Sequence, residues 1–140
     1  MAIHVLTVLA YGQGDRVTSA SLAGSVNTNP VIIRRLLLAL QRAKLVETRK
    51  GAGFGSRLSR SPARINLREV YRAVEHPVLF AMPRGHPDYA CPVGSCIETT
   101  LERIFTSAQE SLERDLARTT LSDIVQTTKT RMVRQPIPRA

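Results

Sequence analysis

The sequence predicts a mainly α protein with a small β-wing: a winged helix-turn-helix domain followed by a long C-terminal dimerisation helix. Three observations predict it. Two helical stretches meet at a polar turn, Asn27-Thr28-Asn29-Pro30. A basic, glycine-rich loop, Lys50-Gly51-Ala52-Gly53-Phe54-Gly55, separates two short strand-like runs. Near the C-terminal end an apolar stripe continues through about 25 residues without a helix breaker.

Taken in order, Ala2–Tyr11 carries Ile3, Leu6, Val8, Leu9 and Ala10, a pattern compatible with a short, mostly buried helix. Gly12, Gly14 and Asp15 end it. Thr18 and Ser19 offer N-caps for a helix over Ala20–Val26, because a hydroxyl oxygen accepts from the free N–H groups of a first turn. Asn29 can cap the next helix, and Pro30 suits its first position, where a missing N–H costs nothing. Over Val31–Lys44, the residues Ile33, Leu36, Leu37, Leu40 and Ala43 recur at spacings of three and four, with Arg34, Arg35, Gln41 and Arg42 off that stripe. Two helices so joined, the second amphipathic and basic, form a helix-turn-helix. Leu45–Arg49 then alternates as a strand, Leu58-Ser59-Arg60 offers its partner, and the glycine-rich loop between them makes a wing. Ser61-Pro62 closes the wing, and Asn66 caps a helix over Leu67–Glu75 with Leu67, Val70, Tyr71 and Val74 on one face.

Residues 76–90, with Pro77, Pro83, Gly85 and Pro87, read as a loop. From about Pro92 to Thr119 a second helical stretch places Ile97, Leu101, Ile104, Ala108, Leu112 and Leu116 on one stripe. At 1.5 Å per residue such a helix is close to 40 Å long and outreaches a domain of about 70 residues. Its stripe therefore needs a partner chain, and homodimerisation is expected; folding back onto its own domain is the alternative. Leu121–Thr130 reads as a short last helix capped by Thr120 or Ser122, and Arg131–Ala140 as a frayed tail. The expected division is residues 1–76 as the DNA-binding domain, 77–91 as a linker, 92–130 as the dimerisation helix and short terminal helix, and 131–140 as a flexible tail.

Charge points to the partner. The formal net charge is +9, and all of it lies in residues 1–72, where 12 Lys and Arg face only Asp15, Glu47 and Glu69. Residues 73–140 hold eight charges of each sign. A field concentrated on one region is the footprint of a phosphate-binding face, so an anionic partner is expected, and on a helix-turn-helix and wing that partner is double-stranded DNA; a solvated basic surface without a partner is the alternative. The competing expectation is a protein–protein adaptor that applies the same basic face to an acidic partner. No nucleophile–base pair or phosphate-binding loop motif occurs, so no enzyme and no catalytic residues are expected. His4, His76 and His86 stand far apart without metal-ligand spacing, and His4 reads as a packed or capping residue of the first helix. With no run of about 18 apolar residues and no signal-peptide pattern, a cytoplasmic protein without a membrane partner is expected.

Asn29-Pro30-Val31, Arg34-Arg35-Leu36-Leu37, Leu45-Val46 and the Lys50–Gly55 loop, in that order, resemble the bacterial winged-helix family that contains IscR, NsrR and CymR. Leu67–Glu75 and then Cys91-Pro92-Val93-Gly94 continue the likeness, which covers roughly residues 2–120. The resemblance implies a homodimeric transcriptional regulator, a repressor acting on a palindromic operator. It implies a recognition helix over Asn29–Ala43, with Asn29, Val31, Arg34 and Arg35 near base edges. Lys50 and Gly51 fall at the minor groove or backbone and Ser19 at a phosphate; Thr28 and Arg49 complete the expected DNA-binding set. The chemistry agrees, since an arginine can donate two parallel hydrogen bonds to guanine O6 and N7. Helix N-termini at Ser19 and Asn29 also present N–H groups to phosphate oxygens. Arg34 and Arg35 sit about 100° apart on a helix, so one can read a base while the other grips a phosphate or packs within the domain.

Cluster-binding members of that family supply three cysteines near the start of the long helix. This chain has only Cys91 and Cys96, against the four ligands that an iron–sulfur cluster normally takes, so no cofactor is expected. Two readings of the cysteines stay open. In one they form a thiol switch, with Cys96 near the first helical turn, where a positive helix end lowers a thiol pKa, and Cys91 just outside it. In the other Cys96 is a small buried hydrophobe and Cys91 an unreactive loop residue.

Overall fold

A computed structural model describes residues 1–12, 14–49, 51, 53–74, 80–82 and 85–134. Among them the order is α1 (Ala2–Tyr11), α2 (Ser19–Val26), α3 (Pro30–Arg42), β1 (Val46–Arg49), β2 (Gly55–Leu58), a 3-10 turn at Pro62–Arg64, α4 (Leu67–Val74), α5 (Gly94–Arg118) and α6 (Leu121–Arg134). The class is the one that the sequence predicts, mainly α with a two-stranded antiparallel wing.

Short polar side chains set the helix starts. Thr18 Oγ1 accepts from the Ser21 N–H at 3.1 Å, and Asn29 Oδ1 accepts from the Val31 N–H at 2.8 Å with Pro30 in the first helical position. Asn66 and Glu69 exchange two bonds, each side chain accepting from the other's backbone N–H at 3.0 and 3.1 Å, and so start α4. Between α2 and α3 the chain reverses at Asn27, whose φ of 55° is a left-handed conformation that asparagine tolerates better than most residues.

These starts aim one aliphatic face of each helix inward. Val5, Leu6 and Leu9 of α1, Leu22 of α2, and Ile33, Leu37 and Leu40 of α3 form the core with Leu45, Val46, Ile65 and Val70. Two expected members fall outside it. Ile3 is exposed, about 100° round α1 from Ala2, and Ala43 is exposed as the residue that ends α3.

The wing differs from expectation in its second strand. The partner of β1 begins at Gly55 rather than Leu58, with Arg49 opposite Gly55 and Val46 opposite Leu58. The cause is a third segment, since Val17 and Ser56 exchange both backbone hydrogen bonds at 2.8 Å and hold β2 on its other edge. Gly55 is needed where these segments meet. Its φ is +130°, and a Cβ there would come within 3.0 Å of Arg16 Cβ.

The stripe on α5 divides into two faces. Turning by 100° per residue, Ile97, Ile104 and Ala108 stay within about 40° of one another, while the later steps of four carry Leu112 and Leu116 progressively round. Ile97, Ile104 and Ala108 are exposed, whereas Leu101, Leu112 and Leu116 are half-buried within the single chain. Leu116 lines a groove with Met1, Ile3, Tyr71 and Val74 of its own head, and the adjacent Glu113 pairs with Arg72 of α4. Phe105, on the same side as Leu116, stacks on Phe80 with ring centroids 4.7 Å apart. The expectation that all six stripe residues face a partner is corrected for Leu116, which its own head partly covers.

Helix α6 also departs from the expected division. Leu121 is fully buried in the head core, and its N–H donates to the Ile65 carbonyl at 2.8 Å. Thr120 and Asp123 cap the helix reciprocally, at 2.8 and 3.2 Å. Farther along, Lys129 Nζ lies 5.4 Å from the Tyr11 ring centroid and Met132 Sδ accepts from the Tyr11 hydroxyl at 3.6 Å. The helix continues to Arg134, so the first four residues of the expected tail are helical. Residues 135–140 lie outside the described residues, as do 75–79, 83 and 84 around and within the expected linker. Among the described residues no helix is long and apolar enough to cross a membrane.

Candidate nucleic-acid interface

The exposed face of α3 is the centre of the site. Burying Ile33, Leu37 and Leu40 turns the opposite side outward, where Val31, Leu38 and Arg42 form a ridge flanked by Arg34 on one side and Arg35 on the other. All five are exposed. Neither Arg34 nor Arg35 makes an ion pair among the described residues, so both guanidinium groups keep their hydrogen-bond donors free. Leu38 was not among the residues predicted for the site; its signal is an exposed leucine on the helix side opposite the core.

The residues around that face are engaged to different degrees. Asn29 is exposed, but its side-chain oxygen already caps α3, which leaves its amide NH2 for an outside partner. Thr28 is half-buried in the turn and its N–H donates to the Ala23 carbonyl at 2.9 Å. Ser19, half-buried, stands at the first position of α2, where Thr18 rather than Ser19 supplies the cap. His4 bridges α1 to α2 through Nε2 and Ser25 Oγ, 3.2 Å apart.

The wing extends the site. Arg49 at the end of β1 and Gly51 in the loop are exposed, and Gly51 has a φ of +79° that favours glycine. Lys50, predicted for the site, lies outside the described residues. Phe54 is exposed at the loop's far end. Beneath the loop, Thr48 Oγ1 and Ser56 Oγ meet at 2.9 Å and brace the two strands. Arg16 and Arg57, which sequence reading did not single out, gather beside Glu47 on the wing. Arg57 reaches Glu47 through the β1–β2 register and Arg16 through the Val17–Ser56 bridge, long-range pairings that neither segment shows alone.

The two cysteines sit at the start of α5, and both are exposed free thiols. The segment before the helix folds over its first turn closely enough that a Cβ on Gly94 would collide with the Asp88 carbonyl oxygen. Tyr89 donates to Glu98 Oε2 at 3.0 Å, and His86 Nδ1 stands 3.6 Å from Glu98 Oε1. The backbone N–H groups of Gly94 and then Val93 point at the Cys91 thiol and hold it below its ordinary pKa. Helix-end stabilisation thus reaches Cys91, just outside the helix. The burial expected for Cys96 under the inert reading is absent. Among the described residues no three His, Cys, Asp or Glu side chains gather to hold a metal ion.

A helix-turn-helix with an exposed arginine-flanked face, followed by a basic wing, defines a winged-helix DNA-binding regulator. The chain belongs to the Rrf2 family, described as an iron-dependent transcriptional regulator, whose model matches residues 1–127. YwnA of Bacillus subtilis (strain 168), which its name places among HTH-type transcriptional regulators, is 39% identical over 126 residues, covering 89% of this chain and 92% of that protein. The HTH-type transcriptional regulator IscR of Cereibacter sphaeroides is 29% identical over 126 residues, covering 89% of this chain and 81% of its own length. A crystal structure described as a DNA-binding protein superposes with a TM-score of 0.71 at 38% identity, covering 88% of this chain and 94% of that one. The relatives are transcriptional regulators rather than enzymes, and the family is the one that the sequence motifs resemble.

Proposed function

We propose that the protein is a homodimeric repressor that reads a palindromic operator with α3 and steadies itself on the backbone with the wing. The observation that carries this reading is the face of α3, where Val31 and Leu38 offer apolar contacts for thymine methyl groups between two arginines with free donors. Dimerisation rests on the exposed Ile97, Ile104 and Ala108 with the half-buried Leu101, an apolar strip on a helix about 38 Å long. In this reading α6 belongs with the DNA-binding head, and the first part of α5 projects from it. Action on DNA in the cytoplasm fits this assignment. An operator selected from a random DNA pool tests it. Arg34→Ala is expected to relax preference for the selected sequence by about 1–3 kcal/mol, and Lys50→Ala to weaken all duplexes alike. Wild-type operator binding by both variants would overturn the assigned face.

The family description names iron, but the donor set does not suit an iron–sulfur cluster. Each chain offers two exposed thiols, with no third metal-binding side chain gathered beside them among the described residues, short of the four ligands a cluster normally takes, and this favours a regulator that carries none. Cys91 instead supports a thiol response. Its thiolate can attack a peroxide oxygen, breaking the O–O bond, releasing hydroxide and leaving a sulfenic acid. Peroxide is expected to change operator binding by the wild type and by Cys96→Ser but not by Cys91→Ser. Identical titrations for all three, with and without peroxide, would remove the thiol from the reading.

A further inference from the structure

The wing carries one carboxylate among several guanidinium groups. Glu47 stands opposite Arg57 in the β1–β2 register, and its Oε1 accepts from Arg57 Nε at 2.7 Å. Its Oε2 lies 3.8 Å from Arg16 Nη2. Arg16 is held a second time, because its Nη1 donates to the Gly55 carbonyl at 3.3 Å, and its side chain is only 20% exposed. Arg57 has no such second hold among the described residues, and 44% of its side chain is exposed. It shares a face of the wing with Arg49, which makes no ion pair among the described residues.

This arrangement has an electrostatic consequence at a DNA surface. An exposed ion pair is weak, so a phosphate could compete for Arg57. The Glu47 carboxylate, however, remains on the same face and repels that phosphate. Contacts to phosphate strengthen binding to every sequence alike and carry no base information. We propose that Glu47 is a specificity-determining residue, which withholds Arg57 from DNA phosphates and limits the sequence-independent grip of the wing. Discrimination then stays with the face of α3. The inference rests on the reading of the wing as a DNA-contacting element.

The test is the salt dependence of binding by the full chain to a mixed-sequence DNA duplex, for wild type, Glu47→Gln, Arg57→Gln and the double variant. Glutamine keeps the side-chain shape of Glu47 and removes only its charge. Glu47→Gln is expected to tighten binding and to steepen the plot of log affinity against log salt by about 0.9, the value for one added phosphate contact. The double variant is expected to return to the wild-type slope. An unchanged slope in Glu47→Gln overturns the proposal, and so does a gain that persists without Arg57, since it would then come from the carboxylate alone. Arg49→Ala separates this inference from the reading beneath it. If Arg49→Ala lowers the slope while Glu47→Gln leaves it unchanged, the wing binds DNA and only the role of Glu47 falls. If neither changes it, the wing does not touch DNA and both fall.

Discussion

If the protein pairs through α5 as proposed, Ile104→Asp is expected to leave it monomeric and to weaken operator binding by roughly 10²–10⁴-fold, the range over which joining two binding modules changes avidity. Ile104 is 55% exposed in the single chain, and its neighbours on that face, Ile97 and Ala108, are exposed as well. A carboxylate at the centre of a paired apolar strip would be buried without a partner, at a cost that a helix pair of this size cannot absorb. The head should be untouched, because the substitution lies off the face that stacks Phe105 on Phe80 and carries Leu116 toward α4. Light scattering of the purified variant gives the mass directly. A variant that remains dimeric would move the interface elsewhere.

Leu121→Ala is expected to destabilise the head by about 2–5 kcal/mol, the usual range for removing a buried leucine side chain. Leu121 has no exposed surface, and it joins the core that includes Ile65 and Val70. Leu38→Ala, at an exposed position of α3, is the comparison and should stay within about 0.5 kcal/mol of wild type. Urea unfolding followed by circular dichroism reads both values. Equal midpoints for the two variants would mean that α6 is an appendage rather than part of the head.

The contrast between these two helices explains what the sequence made legible. Local signals, each confined to a few residues, were sufficient for the first half: Thr18 and Asn29 cap as their chemistry predicts, and the spacing of Ile33, Leu37 and Leu40 identifies the buried side of α3. The charge imbalance led to the same region. Long-range pairing was not legible. Val17 meets Ser56 across 39 positions, and nothing in either segment alone announces that meeting, so β2 was expected three residues late. Leu121 belongs to the head for a similar reason, since its backbone partner is Ile65. On α5 the periodicity is visible in the sequence, but steps of four residues in succession rotate a stripe by about 40° each, which splits it between two faces. At the cysteines the deciding geometry is local. Cys96 lies inside α5, in its first turn, but the N–H groups of a first turn point backward along the axis, where Cys91 lies.

The two faces of α5 also make it a rotational ruler. One end of this continuous helix is fastened to the head by Arg72 and Glu113, and the other carries Ile97 and Ile104. Inserting one residue between Ala108 and Leu112 would swing the head by about 100° relative to the apolar strip, so that two heads could no longer approach the same side of a duplex. Inserting seven would restore the facing to within about 20° while lengthening the helix by roughly 10 Å. In the proposed dimer, the distance between half-sites would therefore be encoded in a count of residues far from any base, and a single-residue insertion in this segment is expected to impair operator binding more than a substitution there.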